Sequence, residues 1–212
     1  MARRRKEREL RRSRITVIGE GLTERWYFDH LRTVMGYRYD CKPRFFSHQS
    51  YLEMRKLIDW VLQNDGIAVC VCDADITLTN PEEKKRLEEM KKTYASEEGK
   101  VFICDSMPSI EFWFLLHYLE TSKQFQTSDE VAHVLSRYMP TFQKHNTFLE
   151  KLQWVKDLCA DDKLLLAYNR AEALSKNPEA TSYSNIYTAI RLFKEQRVPE
   201  YSQGKALPGR QN

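Results

Sequence analysis

Apolar positions along the chain follow two rhythms. Up to residue 120, short unbroken apolar runs alternate with stretches of helical period. Ile15–Ile18 is the first run and stops at Gly19. A helix is expected from about Thr23 to Met35, with Tyr27, Leu31 and Val34 or Met35 on one face. Gly36 stands where a helix C-terminus favours glycine. Pro43–Ser47 reads as a short second strand. Ser50-Tyr-Leu-Glu53 is a capping box; its helix carries Met54, Leu57, Ile58, Val61 and Leu62 and stops near Asn64-Asp-Gly66. Ile67–Cys72 is apolar without alternation, as in a strand buried on both faces of a parallel sheet. Asn80-Pro-Glu-Glu83 combines a cap, a first-turn proline and dipole-matched acids. It opens a charged, solvent-facing helix to about Glu98. Lys100–Cys104 is the fourth strand, followed by a turn at Asp105–Pro108. Ser109–Leu119 is a helix apolar nearly all round, so it should be the most buried one.

This alternation predicts an α/β domain over 14–120, with βαβ units and a mainly parallel four-stranded sheet flanked by helices. From 128 to 197 only helical periodicity is visible: Val131/Val134/Leu135/Tyr138, Phe148/Leu152/Val155, Leu164 to Leu174, and Ile186/Tyr187/Ile190/Phe193. That predicts an all-helical appendage joined through 121–128. Residues 1–13 read as a disordered arm and 198–212 as a loose tail. A length of 212 residues fits one domain plus such an appendage.

Composition narrows the setting. No run approaches the roughly 18 apolar residues of a membrane span, and the basic start is followed by no apolar stretch, so no secretory signal is expected. Five cysteines are an odd count. Cys70, Cys72 and Cys104 fall in strand-like runs, which suggests reduced, buried thiols in a cytoplasmic protein. Cys70-Val-Cys72 has the wrong spacing for a zinc ribbon. Charge is uneven: residues 1–14 carry eight Lys/Arg against Glu7 and Glu9, or +6, so a total of +4 leaves −2 for the rest. The arm, through Arg3, Arg4, Arg5, Arg11 and Arg12, is the expected phosphate-binding element; the alternative is a solubilising tail.

The chemistry concentrates at two strand ends. Glu20 follows the first strand between Gly19 and Gly21, and Glu24 lies one helical turn on. Asp73 and Asp75 follow the buried third strand; residues i and i+2 point to the same side, roughly 7 Å apart. In a parallel sheet both ends lie on the edge where α/β folds bind ligands. Clustered carboxylates repel and raise one another's pKa. A hard divalent cation relieves this, and two ions about 4 Å apart would clamp an in-line phosphoryl displacement. Each part has an ordinary reading too: Asp-x-Asp as a turn or cap, Glu24 as a dipole-favoured first-turn acid, Glu20 as solvated surface. Glu111, in the first turn of the apolar helix, is a cap or a further site member. His117 reads as a core or rim histidine.

Gly19-Glu-Gly-Leu-Thr-Glu24 with Tyr27-Phe28, then Val71-Cys-Asp-Ala-Asp75, resemble the two motifs of the Toprim domain of topoisomerases, bacterial primases and OLD-type nucleases, the OLD-type branch most. Ser109-Ile-Glu-Phe-Trp-Phe-Leu-Leu-His-Tyr118 after a proline, and Asn177-Pro before the last helix, resemble RloB-like proteins. Those are small bacterial proteins tied to restriction loci and phage defence (antiviral abortive infection), often encoded beside an AAA-type ATPase. The resemblance covers roughly 14–195. It implies a Toprim-like fold and an Mg²⁺- or Mn²⁺-dependent nuclease, with Glu20 as metal ligand and acid/base, Asp73 and Asp75 as Mg²⁺ ligands and Glu24 as a second-metal ligand. Nucleic acid (DNA or RNA), an AAA-type ATPase and a second copy of the chain in a homo-oligomer are the candidate partners. Two other readings compete. One is a non-cleaving module that binds nucleic acid or the ATPase. The other is a phosphatase, because Asp73-Ala-Asp-Ile-Thr-Leu78 also matches Asp-x-Asp-x-Thr of haloacid-dehalogenase-like enzymes, with Asp73 attacking phosphorus and Asp75 as acid/base.

Overall fold

The computed structural model describes residues 14–43 and 48–196. The basic arm over 1–13, positions 44–47 of the expected second strand and the tail over 198–212 lie outside the described residues. Among the described residues five strands form one sheet: β1 (Ile15–Gly19), β2 (Asp40–Lys42), β3 (Ile67–Asp73), β4 (Val101–Met107) and β5 (Tyr183–Ser184), in the order β2-β1-β3-β4-β5. The first four are parallel and β5 is antiparallel to β4. The architecture is α/β, a mostly parallel sheet flanked by helices.

Local sequence explains the elements. In α1 (Leu22–Met35), Gly36 takes the left-handed conformation at φ 67° that ends the helix. The capping box opens α2 (Tyr51–Gln63) as expected: Glu53 accepts the Ser50 N–H at 2.8 Å, and Ser50 accepts the Glu53 N–H at 3.4 Å. A short helix, α3 (Ile76–Thr79), precedes α4 (Pro81–Thr93), which starts where Asn80 Oδ1 accepts the Glu82 N–H at 3.0 Å. All seven residues of α5 (Ile110–Leu116) are buried. Then come α6 (Ser128–Leu135), α7 (Asn146–Leu149), α8 (Gln153–Cys159), α9 (Lys163–Ser175) and α10 (Ile186–Glu195).

The strand period of two splits the core into two layers. Ile15, Val17, Val69 and Val71 face one layer with Tyr27, Phe28 and Trp113, and Trp154, Ala171, Ile190 and Phe193 from the later helices join it. Ile18, Ala68, Cys70 and Cys72 face the other, with Met54, Ile58 and Met90. The cysteines are free thiols, four buried and Cys159 partly so. Among the described residues no helix is long and apolar enough to cross a membrane.

Several expectations need correction. The second strand is Asp40–Lys42, ahead of Pro43; only Cys41 of it is buried, so this edge strand carries no apolar run to read. The charged helix stops at Thr93, where Tyr94 turns back to donate to Asp59 Oδ1 at 2.6 Å. The fourth strand runs on through Asp105 to Met107, and the helical stretch beyond 128 is broken by β5, which makes a fifth strand. One buried polar network accounts for both. Asp105 accepts from Lys91 at 2.6 Å, Tyr183 at 2.7 Å and Asn185 at 2.9 Å, which lets a carboxylate sit inside a strand and ties β5 to it.

Candidate functional site at an acidic sheet edge

β1 and β3 end side by side, with Gly19 registered on Val71. The Glu20 N–H donates to the Val71 carbonyl at 3.2 Å, continuing the ladder one residue past β1. The chain then turns into α1, and the turn is tight: a Cβ on Gly19 would stand 3.0 Å from Glu24 Cβ. Glycine there lets the first turn of α1 close down on the strand end.

The carboxylates interlock through backbone donors. Glu20 Oε2 accepts the Asp73 N–H at 2.9 Å. Glu24 Oε2 accepts the Gly21 N–H at 2.8 Å. Asp73 Oδ1 accepts the Ile110 N–H, the first of α5, at 2.8 Å. Glu111 Oε2 accepts from Ser109 Oγ at 2.6 Å, and Lys144 Nζ lies 3.0 Å from Glu111 Oε1. Asp75, partly buried, leads into α3, and its N–H donates to the Pro108 carbonyl at 3.1 Å. His48 Nδ1 stands 3.8 Å from Glu20 Oε1.

Crowding and burial shift these groups. Burial pushes the Glu20 carboxyl up to about 8; the Asp73 N–H opposes this, and Glu24, Asp75 and Glu83 add to it. Glu24 is raised by burial and by Glu111, against its backbone hydrogen bonds and Lys144. Asp73 is raised well above the usual carboxylate range by burial, then by Glu24, Glu111 and Glu20. Burial works against the Lys144 charge, but Glu111, Asp73 and Glu24 outweigh it and raise its pKa. Burial is the largest cause in each carboxylate, and the like-charge contributions follow from the acids' closeness to one another.

The structure thus brings Glu20, Glu24, Asp73 and Asp75 to one edge, and Glu111 joins them rather than acting as a plain cap. His117 sits apart, buried, with Nδ1 2.9 Å from the Trp113 carbonyl, as a core histidine. Arg3, Arg4, Arg5, Arg11 and Arg12 lie outside the described residues. Lys144 was not visible in the sequence as a site residue, because its segment has neither strand nor helix period. The available signal was its aromatic flanks: Phe142 packs on Phe114 of α5 with ring centroids 5.8 Å apart, and on Phe148 at 5.6 Å. Those contacts hold the Lys144 segment over the acids.

All the acids supply oxygen donors, the type hard divalent cations take. Among the described residues, however, no group of three or more His, Cys, Asp or Glu is arranged to hold a metal ion. One oxygen each of Glu20, Glu24 and Asp73, and both of Glu111, are turned onto donors of the chain itself.

Fold and edge define an α/β protein with partly buried acids at adjacent parallel strand ends. The RloB-like protein family model matches residues 15–195, and the chain belongs to that family. No curated protein and no solved structure matches it.

Proposed function

We propose that the acidic edge is the active site of a Toprim-type, divalent-cation-dependent nuclease that hydrolyses phosphodiesters, serving the phage defence that the sequence resemblance implies. One observation carries the reading. Glu20 and Asp73, 53 residues apart, meet through a 2.9 Å hydrogen bond, inside a cluster in which, among the described residues, Lys144 is the lysine paired with an acid. By oxygen type the acids suit Mg²⁺ or Mn²⁺: with their side chains turned off the internal donors, Glu20, Asp73 and Asp75 would hold one ion, with Glu24 toward a second. The ion would supply Lewis-acid activation of the phosphodiester. The chain's own part is to hold the acids in place. Gly21 fixes Glu24, the α5 N-terminus fixes Asp73, and Lys144 offsets part of the excess negative charge. Glu20, with a pKa near 8, can carry a proton at neutral pH.

One observation favours a non-cleaving binding module: Glu20, Glu24, Asp73 and Glu111 already accept from internal donors. Incubation with plasmid and with single-stranded RNA, in Mg²⁺ or Mn²⁺ and then with chelator, separates the two. Chelator-sensitive cleavage, lost in Glu20→Gln and Asp73→Asn, supports the nuclease. Binding without cleavage supports the module, and hydrolysis of a generic phosphate monoester would favour the phosphatase.

A further inference from the structure

A second charged feature lies along the free edge of the sheet. Among the described residues β2 pairs only with β1, and residues of α1 and α2 line the groove beside it. A groove of about 740 Å³ is lined there by Arg14, Arg25, Arg32, Lys42, Asp40 and Trp60, among others. The cations are held in place. Arg25 and Arg32 both engage Asp29, at 3.1 and 2.5 Å, Arg32 also donates to the Tyr39 carbonyl at 3.2 Å, and Arg14 pairs with Asp40. Four cations against Asp29 and Asp40 leave the groove positive, in a body that is net negative beyond residue 14. Shared carboxylates orient guanidinium groups without neutralising them all. The buried Arg25 Nε has no hydrogen-bond partner among the described residues.

Trp60 adds an aromatic surface. It is 48% exposed, whereas Trp113 and Trp154 are buried, and Lys42 Nζ lies over its ring, 5.0 Å from the centroid. An oriented row of cations with an exposed indole offers a track for a phosphate backbone and a platform for a base. We propose that this groove docks single-stranded nucleic acid, phosphates on Arg14, Arg25, Arg32 and Lys42 and one base on Trp60. Its use as a feed to the acidic edge rests on the nuclease reading; its binding chemistry does not. Arg25 directly follows Glu24 on α1, so groove and edge adjoin along the chain.

The test measures binding in chelator, where cleavage cannot contribute. Labelled oligothymidylate and oligouridylate are titrated onto the full chain by fluorescence anisotropy, and tryptophan emission is followed in parallel. Trp60→Ala is expected to weaken binding of both strands roughly tenfold and to abolish the emission change. Trp60→Phe should keep the affinity and lose the emission change. Lys42→Gln should weaken binding and lower the salt slope by about 0.7, one single-strand phosphate contact. Circular dichroism confirms folding, since both side chains are partly exposed. Wild-type affinity in Trp60→Ala, equal affinity for polyglutamate, or an unchanged salt slope in Lys42→Gln would overturn the proposal. Failure of Glu20→Gln to affect cleavage would overturn the nuclease reading and leave these binding results standing.

Discussion

The Glu20 carboxylate accepts the backbone N–H of Asp73 at 2.9 Å, across the ends of two neighbouring parallel strands. A glutamine amide oxygen can accept the same bond, so Glu20→Gln separates geometry from ionisation. Cleavage with Mg²⁺ is expected to fall by roughly 10² to 10⁴, the usual weight of an acid/base group. Stability at pH 7 should hold or rise, because a buried ionisable carboxyl is removed. Chemical denaturation alongside a nuclease assay checks both, and undiminished cleavage would remove Glu20 from the mechanism.

A related expectation concerns the ion itself. A ligand that binds only the native state stabilises it by mass action, about 2.7 kcal/mol at a hundredfold excess over Kd. Mg²⁺ or Mn²⁺ should therefore raise the unfolding midpoint of the wild-type chain and leave Asp73→Asn nearly unmoved. An equal shift in both would place any bound ion elsewhere.

Much of this edge was legible in the sequence because it is local. Gly19-Glu20-Gly21 and Asp73-x-Asp75 each follow an apolar run, and parallel pairing is enough to bring such ends together. The capping box at Ser50, the Asn80-Pro81 start and the buried α5 were legible for the same reason. What stayed hidden depends on distant partners. Asp105 looked like a turn residue because Lys91, Tyr183 and Asn185, which permit its burial, are remote in the chain. β5 spans two residues, too few to show a period. Lys144 owes its place to aromatic packing on α5, not to any local pattern.

Lys144 is about half exposed, but its partner Glu111 is 1% exposed. Removing the ammonium with Lys144→Met strands a buried carboxylate beside Glu24 and Asp73. Breaking a fully buried pair costs about 3–5 kcal/mol. Solvent screening at Lys144 lowers the expected loss to about 1–3 kcal/mol. Divalent ion should restore more stability to this variant than to the wild type, since a second cation can take over the missing charge. Urea unfolding with and without Mg²⁺ checks this. A variant as stable as the wild type would show that Lys144 is not the counter-charge.

Trp113 Nε1 donates to the Tyr27 hydroxyl at 2.7 Å, and neither residue is exposed. Tyr27→Phe leaves the indole N–H buried without its acceptor, at a cost of about 1–3 kcal/mol. Because Tyr27 packs with Phe114 and Trp154, loss of the hydroxyl should loosen α1, α5 and α8 together. A double-mutant cycle with Trp113→Phe should show non-additivity, since the pair shares one hydrogen bond. Additive losses would assign the cost to packing alone.

His117 sets a separate pH response. Burial lowers its pKa from 6.5 to about 4, with Arg170 and Lys163 adding to the effect against the Trp113 and Phe114 backbone groups. Between those values the unfolded chain binds a proton that the native chain refuses. Stability therefore rises with pH across the window and is lost on acidification, by about 1.4 kcal/mol per unit at most. The raised carboxylates Glu20, Glu24 and Asp73 act in the opposite sense, since protonation favours their native state. Subtracting a variant that lacks only the imidazole isolates the histidine. His117→Asn can still donate to the Trp113 carbonyl, and it does not titrate. From pH 6.5 to 5 the wild type should lose about 1.5 kcal/mol more than His117→Asn. Parallel slopes for the two proteins in denaturant melts at both pH values would show that His117 is not held neutral by its burial.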